Sequence, residues 1–437
     1  MLEYLKLNNV GPAQEMKMEF TPRMNIITGD NGLGKSFLLD VAWWSLTRKW
    51  PHDLNPSLTS GYPARPTDPK KQATIEFRLT SKVKSVNYVS QYSPRNEAWV
   101  RKPGRPWNPG LIIYAHADGG FSVWDPARNY WLGNKSDIDI PERLPAYVFS
   151  VNEVWDGLEV VMDGKKAIVS NGLLRDWAGW IKENGENARR MAAILAKIAP
   201  TGELLGPGPL VRLSVNDARD IPSIKTAYTD QVPILHASAG IRRMIGLVYM
   251  LLWSWNEHTL AAKNLGEEQT SKVVILFDEI ESHLHPRWQR LILKSVLDIT
   301  KMLHEEATIQ LIAATHSPLI LASAEPTFDS TKDAWFDIDF DQTDRTVKLA
   351  KKEFIRRGTA GRWLTSQAFD LASQGRSIEA EQAIAAAEAL LGRRRDGDIL
   401  KQEEIDLVDQ GLRQTLPDVD RFWLRWSAQI GELRSST

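Results

Sequence analysis

Residues 29–36 read Gly29-Asp30-Asn31-Gly32-Leu33-Gly34-Lys35-Ser36, the complete GxxxxGK pattern closed by Ser. They lie between a short strand-like run, Met24 to Thr28, and a run from Lys35 to Trp50 whose apolar residues recur at helical spacing before Pro51 ends it. A strand, a glycine loop and a helix in that order commit the chain to an α/β fold with an anion site at a helix start. Glycines let backbone N–H groups turn inward around phosphate oxygens, and the helix dipole adds positive potential. Lys35 then reaches the β- and γ-phosphates and Ser36 ligates magnesium. The expected nucleotide contacts are Asp30, Asn31, Gly32, Gly34, Lys35, Ser36 and Phe37, with ATP and Mg2+ as cofactors. A chance glycine-rich turn is the bland alternative, and the two flanks argue against it.

Two continuous apolar runs, residues 273–277 (VVILF) and 309–314 (IQLIAA), have the character of strands covered on both faces in a parallel sheet. A helix expected from Pro286 to about Leu303 connects them, which is βαβ logic. The first run ends in Asp278-Glu279, at the strand end where open α/β sheets bind ligands. Asp278 would hold magnesium through water, and Glu279 would orient or deprotonate the attacking water, since phosphoryl transfer chiefly needs positioning and charge compensation. The second run ends in Ala314-Thr315-His316-Ser317, which sets His316 beside the same edge, within reach of a γ-phosphate. A further helix start, His236-Ala237-Ser238-Ala239-Gly240-Ile241-Arg242-Arg243, is a second anion site with Ser238 as its cap. Two such sites in one chain make sense if two copies pair head to tail, each covering the other's γ-phosphate.

The 437 residues allow roughly three folding units. Hydrophobic residues at 43% and charged ones at 25% place the chain among soluble globular proteins, away from disordered and membrane-spanning classes. The net charge of -1 provides no global field for nucleic acid, so any DNA contact must be local. With no cysteine there is no disulfide, thiol catalysis, iron–sulfur cluster or Cys-ligated zinc. The N-terminal MLEYLKLNNV lacks a basic stretch followed by an apolar one, and the apolar run Ile245 to Trp253 is too short for a bilayer, so the expected location is cytoplasmic.

Along the chain, residues 51–69 look like a mobile surface loop, and Ala73 to Phe149 like an antiparallel β layer with turns at Ser93-Pro94, Pro103-Gly104 and Gly119-Gly120. A helical hairpin follows, with Leu173 to Ile181 and Ala188 to Ile198 as its arms and Asn184-Gly185 as its turn. Short strands are expected near 211–215 and 231–235, then an apolar helix from about Ala239 to Trp255. Helices are expected at 377–391, 401–414 and 418–433, the last with Trp423, Trp426, Ile430 and Leu433 on one side.

These motifs together resemble the ABC-type ATPases of the SMC, Rad50, RecF and OLD branch. Gly29 to Ser36 is similar to that family's Walker A motif, Ser238-Ala239-Gly240 to its signature, Val274 to Glu279 to its Walker B, and His316 to its switch histidine. The resemblance implies an α/β head, a mixed sheet with the phosphate loop plus an antiparallel β layer, that dimerises around two ATP molecules. It divides the chain into a first lobe (1–150), a helical hairpin insertion (151–235), a second lobe (236–350) and a helical C-terminal region for partners or oligomerisation (351–437). Residues 280–286 (IESHLHP) look like the family's D-loop, so His283 and His285 read as turn residues rather than a metal pair. The family's magnesium-binding glutamine is not evident: Phe149 to Glu153 occupies its place, with Gln91 a distant candidate.

More narrowly, IIYAHADGGFSVWDPARN, VFSVNEVWDGL, NGLLRDWAGW, RRGTAGRWLTSQAFDL and RSIEAEQAI look like the ATPase subunit of Septu-type antiphage systems. That resemblance implies a homo-oligomer carrying a separately encoded HNH nuclease, which would meet DNA through the complex and need no membrane. Asp337, Asp339 and Asp341 alternate on one strand face and could bind magnesium, yet no partner Glu is evident, so no nuclease centre is expected in this chain. Arg393-Arg394-Arg395 suits the negative end of a helix begun by Glu379 and Glu381 better than DNA. The competing readings are a RecF-like DNA-repair ATPase acting directly on DNA, and a transporter's nucleotide-binding subunit.

Overall fold

The computed structural model describes residues 1–437 except 82–83, 102–106, 131–142, 201, 370, 372–374, 399 and 435–437, and for 430–434 it describes the backbone alone. The Pro103-Gly104 turn and the side chains of Ile430 and Leu433 therefore lie outside the described residues. The chain divides into two compact units, Met1–Arg356 and Arg357–Thr437.

The first unit opens with β1 (Leu2–Asn8), β2 (Glu15–Glu19) and β3 (Met24–Gly29), and β3 delivers the glycine loop to α1 (Lys35–Thr47). Then come α2 (Pro51–Leu54), β4 (Thr74–Ser81), β5 (Lys84–Ser93) and β6 (Ala98–Trp99). Strands β2-β1-β4-β5-β6, in that order, make one antiparallel sheet. The chain continues through β7 (Leu111–Ala115), β8 (Phe121–Trp124), α3 (Pro126–Asn129), β9 (Tyr147–Phe149), α4 (Val151–Asp156) and the hairpin β10 (Leu158–Met162) and β11 (Lys165–Ser170). Helices α5 (Leu173–Glu183) and α6 (Glu186–Ile198) form the expected helical hairpin. A small sheet, β12 (Gly206–Pro207), β13 (Ser223–Lys225) and β14 (Val232–Pro233), precedes the long helix α7 (Ala239–Leu265). The unit closes with β15 (Lys272–Phe277), α8 (Pro286–Gln289), α9 (Ile292–Leu303), β16 (Thr308–Ala314), α10 (Pro318–Ala324), β17 (Asp333–Asp341) and β18 (Thr346–Lys352).

The central sheet has eight strands in the order β18-β17-β3-β16-β15-β7-β8-β9. Its five inner strands from β17 to β7 run parallel, and antiparallel strands finish both edges. This is the α/β architecture with a mixed sheet that the sequence led us to expect. Helix α1 is apolar on every side, burying Leu38, Leu39, Val41, Trp43, Trp44 and Leu46. Such a helix must be enclosed, and α1 packs between β1 of the antiparallel sheet and β3, β15 and β16 of the central one. Helices α7 and α9 cover β7 and β16.

Several expectations need correction. The run from Ala73 to Phe149 is not one layer: β4 and β5 join the antiparallel sheet, whereas β7, β8 and β9 extend the central sheet beyond β15. The cause is visible in β7, whose LIIYA is buried at every position, as in a strand covered on both faces. The segment 51–69 is packed rather than loose, with Leu58 and Ala64 buried and Asn55 donating to the Val148 carbonyl at 3.0 Å. The helix expected from Pro286 to Leu303 breaks into α8 and α9 at Arg290 and Leu291. Near 211–215 there is only an isolated bridge, Val211 to Ile221. Hairpin β10–β11 went unforeseen, although Asp163-Gly164 at φ 49° and 74° is the Asp-Gly turn that favours such hairpins.

The second unit holds α11 (Ala360–Leu364), α12 (Ile378–Arg395), α13 (Gln402–Thr415) and α14 (Phe422–Arg434). Ala387, Leu390, Leu391, Ile405, Leu412 and Trp426 form its core. Ser377 caps α12, whose first turn carries Glu379 and Glu381 and whose last carries Arg393, Arg394 and Arg395, the arrangement the helix dipole favours. Arg393 also pairs with Asp398 and Glu404. No described helix is long and apolar enough to cross a membrane.

Candidate nucleotide-binding site

The parallel register brings three loops to one edge of the central sheet. Strand β16 pairs with β3 through Ala314 and Ile27, and with β15 through Ala313 and Phe277. The glycine loop, Asp278-Glu279 and Thr315-His316 therefore leave adjacent strands side by side. Backbone bonds lock the edge: the Asp278 N–H donates to the Ala115 carbonyl, Ile280 to Ala314, and Thr315 to Ile27, at 2.9, 3.2 and 2.9 Å.

The loop's conformation requires its glycines. Gly29 has φ 141°, and a Cβ there would lie 2.3 Å from the Ile338 carbonyl oxygen. Gly34 has φ 100° and a Cβ would meet Pro12 at 2.9 Å. Asp30, Asn31 and Gly32 are exposed at the loop's tip. The Lys35 ammonium folds onto the loop, donating to the Gly29 and Asp30 carbonyls at 2.6 and 2.9 Å. Burial pulls its pKa below the ordinary lysine value, against the opposing pull of Glu281, Asp278 and Glu279. The Phe37 ring packs on Gly11, where a Cβ would meet it at 2.5 Å.

Asp278 is buried, and burial raises its pKa to about 6, while a hydrogen bond from Ser36 opposes that rise. Its Oδ1 is buried without a hydrogen-bond partner. A serine hydroxyl beside a carboxylate with an orphaned oxygen is the donor set a hard divalent cation takes, so Ser36 and Asp278 fit magnesium. Glu279 is half-buried in a left-handed turn at φ 45°, closed by Ser282 N–H donating to its carbonyl at 2.8 Å. His316 keeps 45% of its side chain exposed.

The residue that sequence reasoning missed is Glu281. It is buried, and it accepts from the His316 backbone N–H at 2.7 Å, the His316 Nδ1 at 3.0 Å and the Thr315 hydroxyl at 2.6 Å. These bonds outweigh the upward push of burial and hold its pKa below the usual glutamate value. In return, the Glu281 hydrogen bond raises the His316 pKa. The sequence carried no local signal for it, since its partners lie 34 and 35 positions away.

Ser238 caps α7, accepting from the Ile241 N–H at 3.4 Å, and Ser238 and Ala239 are exposed. Gly240 lies against the 279–285 turn, where a Cβ would come 2.6 Å from the His283 carbonyl oxygen. Arg243, one turn on, donates to the Ala117, His116 and Asp278 carbonyls at 3.0, 3.2 and 3.3 Å. His285 caps α8 by accepting from the Arg287 N–H. Among the described residues no group of three or more His, Asp or Glu is placed to hold a metal. Asp337 instead takes the Thr28 hydroxyl at 2.6 Å, and Asp341 takes Lys348.

Gln91 pairs with Thr74 in the antiparallel sheet. The groups around Asp278 come from elsewhere: Asp40 of α1 accepts from the Tyr114 hydroxyl at 2.9 Å, and burial raises the Asp40 pKa to about 7. Phe149 to Glu153 forms a capping box at the start of α4, with Ser150 and Glu153 as its members.

The family described as "AAA domain, putative AbiEii toxin, Type IV TA system" matches residues 24–322, which include Lys35, Ser36, Asp278, Glu279, Glu281 and His316. A curated relative, the retron Vc95 probable ATPase of Vibrio cholerae serotype O1 biovar El Tor, is 29% identical over 113 residues. That match covers 26% of this chain and 20% of the relative, so the chain spans only a fifth of that protein's length. Among solved structures, the SMC head bound to the C-winged helix domain of ScpA aligns at 17% identity and a TM-score of 0.37, over 80% of this chain and 97% of the other. The recombination mediator RecF aligns at 13% identity and a TM-score of 0.35, over 77% and 96%.

Proposed function

We propose that this chain, which belongs to the AAA-domain family matched over residues 24–322, is an ATP-driven switch in antiphage defence that governs a separately encoded HNH nuclease. The observation that carries the nucleotide half is the convergence of Lys35, Ser36, Asp278, Glu279 and His316 on one sheet edge. In this reading the N–H groups of residues 30–37 cradle the phosphates and Lys35 leaves its two loop carbonyls for the β- and γ-phosphates. Ser36 and Asp278 hold magnesium, which supplies charge compensation at the phosphates. Glu279 positions the attacking water and accepts its proton, and His316, aimed by Glu281, donates a hydrogen bond to the γ-phosphate.

The exposed Ser238-Ala239-Gly240 helix start would cover the γ-phosphate of a second copy, giving a head-to-tail dimer. The helical unit 357–437 would carry the nuclease or further copies. The defence role is supported by the Septu-like sequence stretches and by the partial match to a retron ATPase.

The test compares two variants. Lys35→Ala should lose ATP binding, whereas Glu279→Gln should keep it, stop turnover and accumulate a closed dimer in Mg-ATP by sedimentation. Equal loss of ATP affinity in both would sink the role of Glu279. Co-purification with the products of adjacent genes tests the partner: a stoichiometric HNH nuclease supports the switch, and a lone ATPase refutes that half.

A further inference from the structure

Asp40 is a buried acid to which the nucleotide reading gives no task. It follows Ser36 on α1 by one helical turn, and side chains at that spacing share a face and lean toward the helix start. Its carboxylate accepts from the Tyr114 hydroxyl at 2.9 Å, and the Gly61 N–H also favours its charged form. Tyr114 stands beside Leu276 in the register of β7 and β15, just short of Asp278. Helix α1 and the end of β15 thus bring two carboxylates to one serine. Ser36 bonds Asp278, and burial first, then the nearby charge of Asp278, raise the Asp40 pKa.

The pair lacks a cation of its own. Asp40 is 8% exposed and Asp278 1%, and the Asp278 Oδ1 has no hydrogen-bond partner. Lys35 and Arg243 both act on Asp278. The Lys35 ammonium, however, is bound to the Gly29 and Asp30 carbonyls, and the Arg243 guanidinium to the carbonyls of Ala117, His116 and Asp278. Neither cation acts on Asp40. Two carboxylates that repel each other out of water raise the free energy of the fold, and a dication beside Ser36 would offset that cost.

The bland account makes Asp40 an anchor for Tyr114. A neutral asparagine would accept that bond and the one from Gly61 without burying a charge next to Asp278, so an anchor alone does not explain an acid here.

We propose that Asp40 is a positioning residue for the divalent cation that Ser36 and Asp278 would take, an outer carboxylate that orders the cation's water rather than touching the cation. Magnesium dehydrates reluctantly and keeps several waters, and carboxylates beyond the direct ligands fix their orientation. The inference rests on the nucleotide site proposed above and adds to it a residue that no phosphate-loop pattern contains.

The test titrates the full chain calorimetrically with the non-hydrolysable analogue AMP-PNP, once in EDTA and once in excess Mg2+. The pH is 8, where the Asp40 carboxylate is ionised. Binding in EDTA reads the glycine loop, and the gain on adding Mg2+ reads the cation site. Asp40→Asn keeps the acceptor for Tyr114, so it should fold and match the parent in EDTA, while about tenfold or more of the Mg2+ gain is lost. Tyr114→Phe removes the donor and leaves the carboxylate, and it should retain the gain. A full Mg2+ gain in Asp40→Asn overturns the proposal. So does an equal loss in Tyr114→Phe, which would make Asp40 an anchor, or a fall in EDTA affinity that accounts for the whole effect of Asp40→Asn. Failure of the parent to bind AMP-PNP in either buffer refutes the ATP switch itself, and this inference with it.

Discussion

Replacing Glu281 is the sharpest way to test how the His316 side of the edge is built. The carboxylate accepts two bonds from His316 on Oε1 and one from Thr315 on Oε2. In Glu281→Gln the amide oxygen can keep both His316 donors while the amide nitrogen faces the Thr315 hydroxyl, which rotates to accept. The geometry survives and only the charge is lost, at a cost of about 1–2 kcal/mol as charge-assisted bonds become neutral. Glu281→Ala instead strands the buried Thr315 hydroxyl and the His316 N–H, costing about 2–5 kcal/mol.

The pH dependence fixes the sign. His316 has a raised folded pKa, so its share of stability is complete below the ordinary imidazole value and fades as pH rises through the folded value. Glu281 has a lowered one, so its share is complete above the ordinary carboxylate value and fades as pH falls through the folded value. The pair thus contributes most between about 4.5 and 6.5, the two ordinary values. Urea unfolding should show a larger gap between wild type and Glu281→Gln at mildly acidic than at alkaline pH. An NMR titration should show the His316 midpoint falling in the variant. An unchanged midpoint, or an equal gap at both pH values, would refute the pairing as the source of the shift.

Asp40 makes the opposite case. Its folded pKa of about 7 lies above the ordinary 3.8, so stability declines as pH rises through that window. Asp40→Asn keeps an acceptor for Tyr114, and denaturation at pH 8 should find it more stable than wild type by on the order of 3 kcal/mol, with no gain near pH 4. For Gly240→Ala, the 2.6 Å approach to the His283 carbonyl oxygen predicts a loss of about 1–3 kcal/mol from overpacking, read in the same assay. A loss no larger than at a helical glycine such as Gly392, where a Cβ meets nothing, would contradict it.

Much of this edge was legible because each motif sits where a strand changes to a loop, and local rules govern such points. The glycine loop, the acidic pair after VVILF and the histidine after IQLIAA announce themselves by composition over a few residues. Glu281 did not, because its partners, Thr315 and His316, lie 34 and 35 positions away, across a βαβ crossover. The assignment of β7 to the central sheet was equally hidden. LIIYA is as apolar as VVILF, but it stands between strands of an antiparallel run, and only tertiary pairing decides its neighbour. The packing of 51–69 was masked by its prolines and glycines, which mark turns without saying whether the turns are covered.

Arg243 shows how the two halves of such a site can sense each other within one chain. Its guanidinium reaches from the first turns of α7 to carbonyls at the ends of β7 and β15, including that of Asp278 itself. Gly240 holds the same helix against the turn that follows Glu279, with no room for a side chain between them. Both contacts are to backbone and so fix position, while the Arg243 guanidinium also feels the negative charge of Asp278, Glu279 and Glu281. A shift of the Asp278-Glu279 turn by even a fraction of an ångström must therefore displace the start of α7 or break these bonds, since close-packed interiors deform in discrete steps. Because the exposed Ser238-Ala239 pair opens α7, the surface we propose for a second copy would be mechanically tied to the carboxylates proposed to handle the chain's own nucleotide.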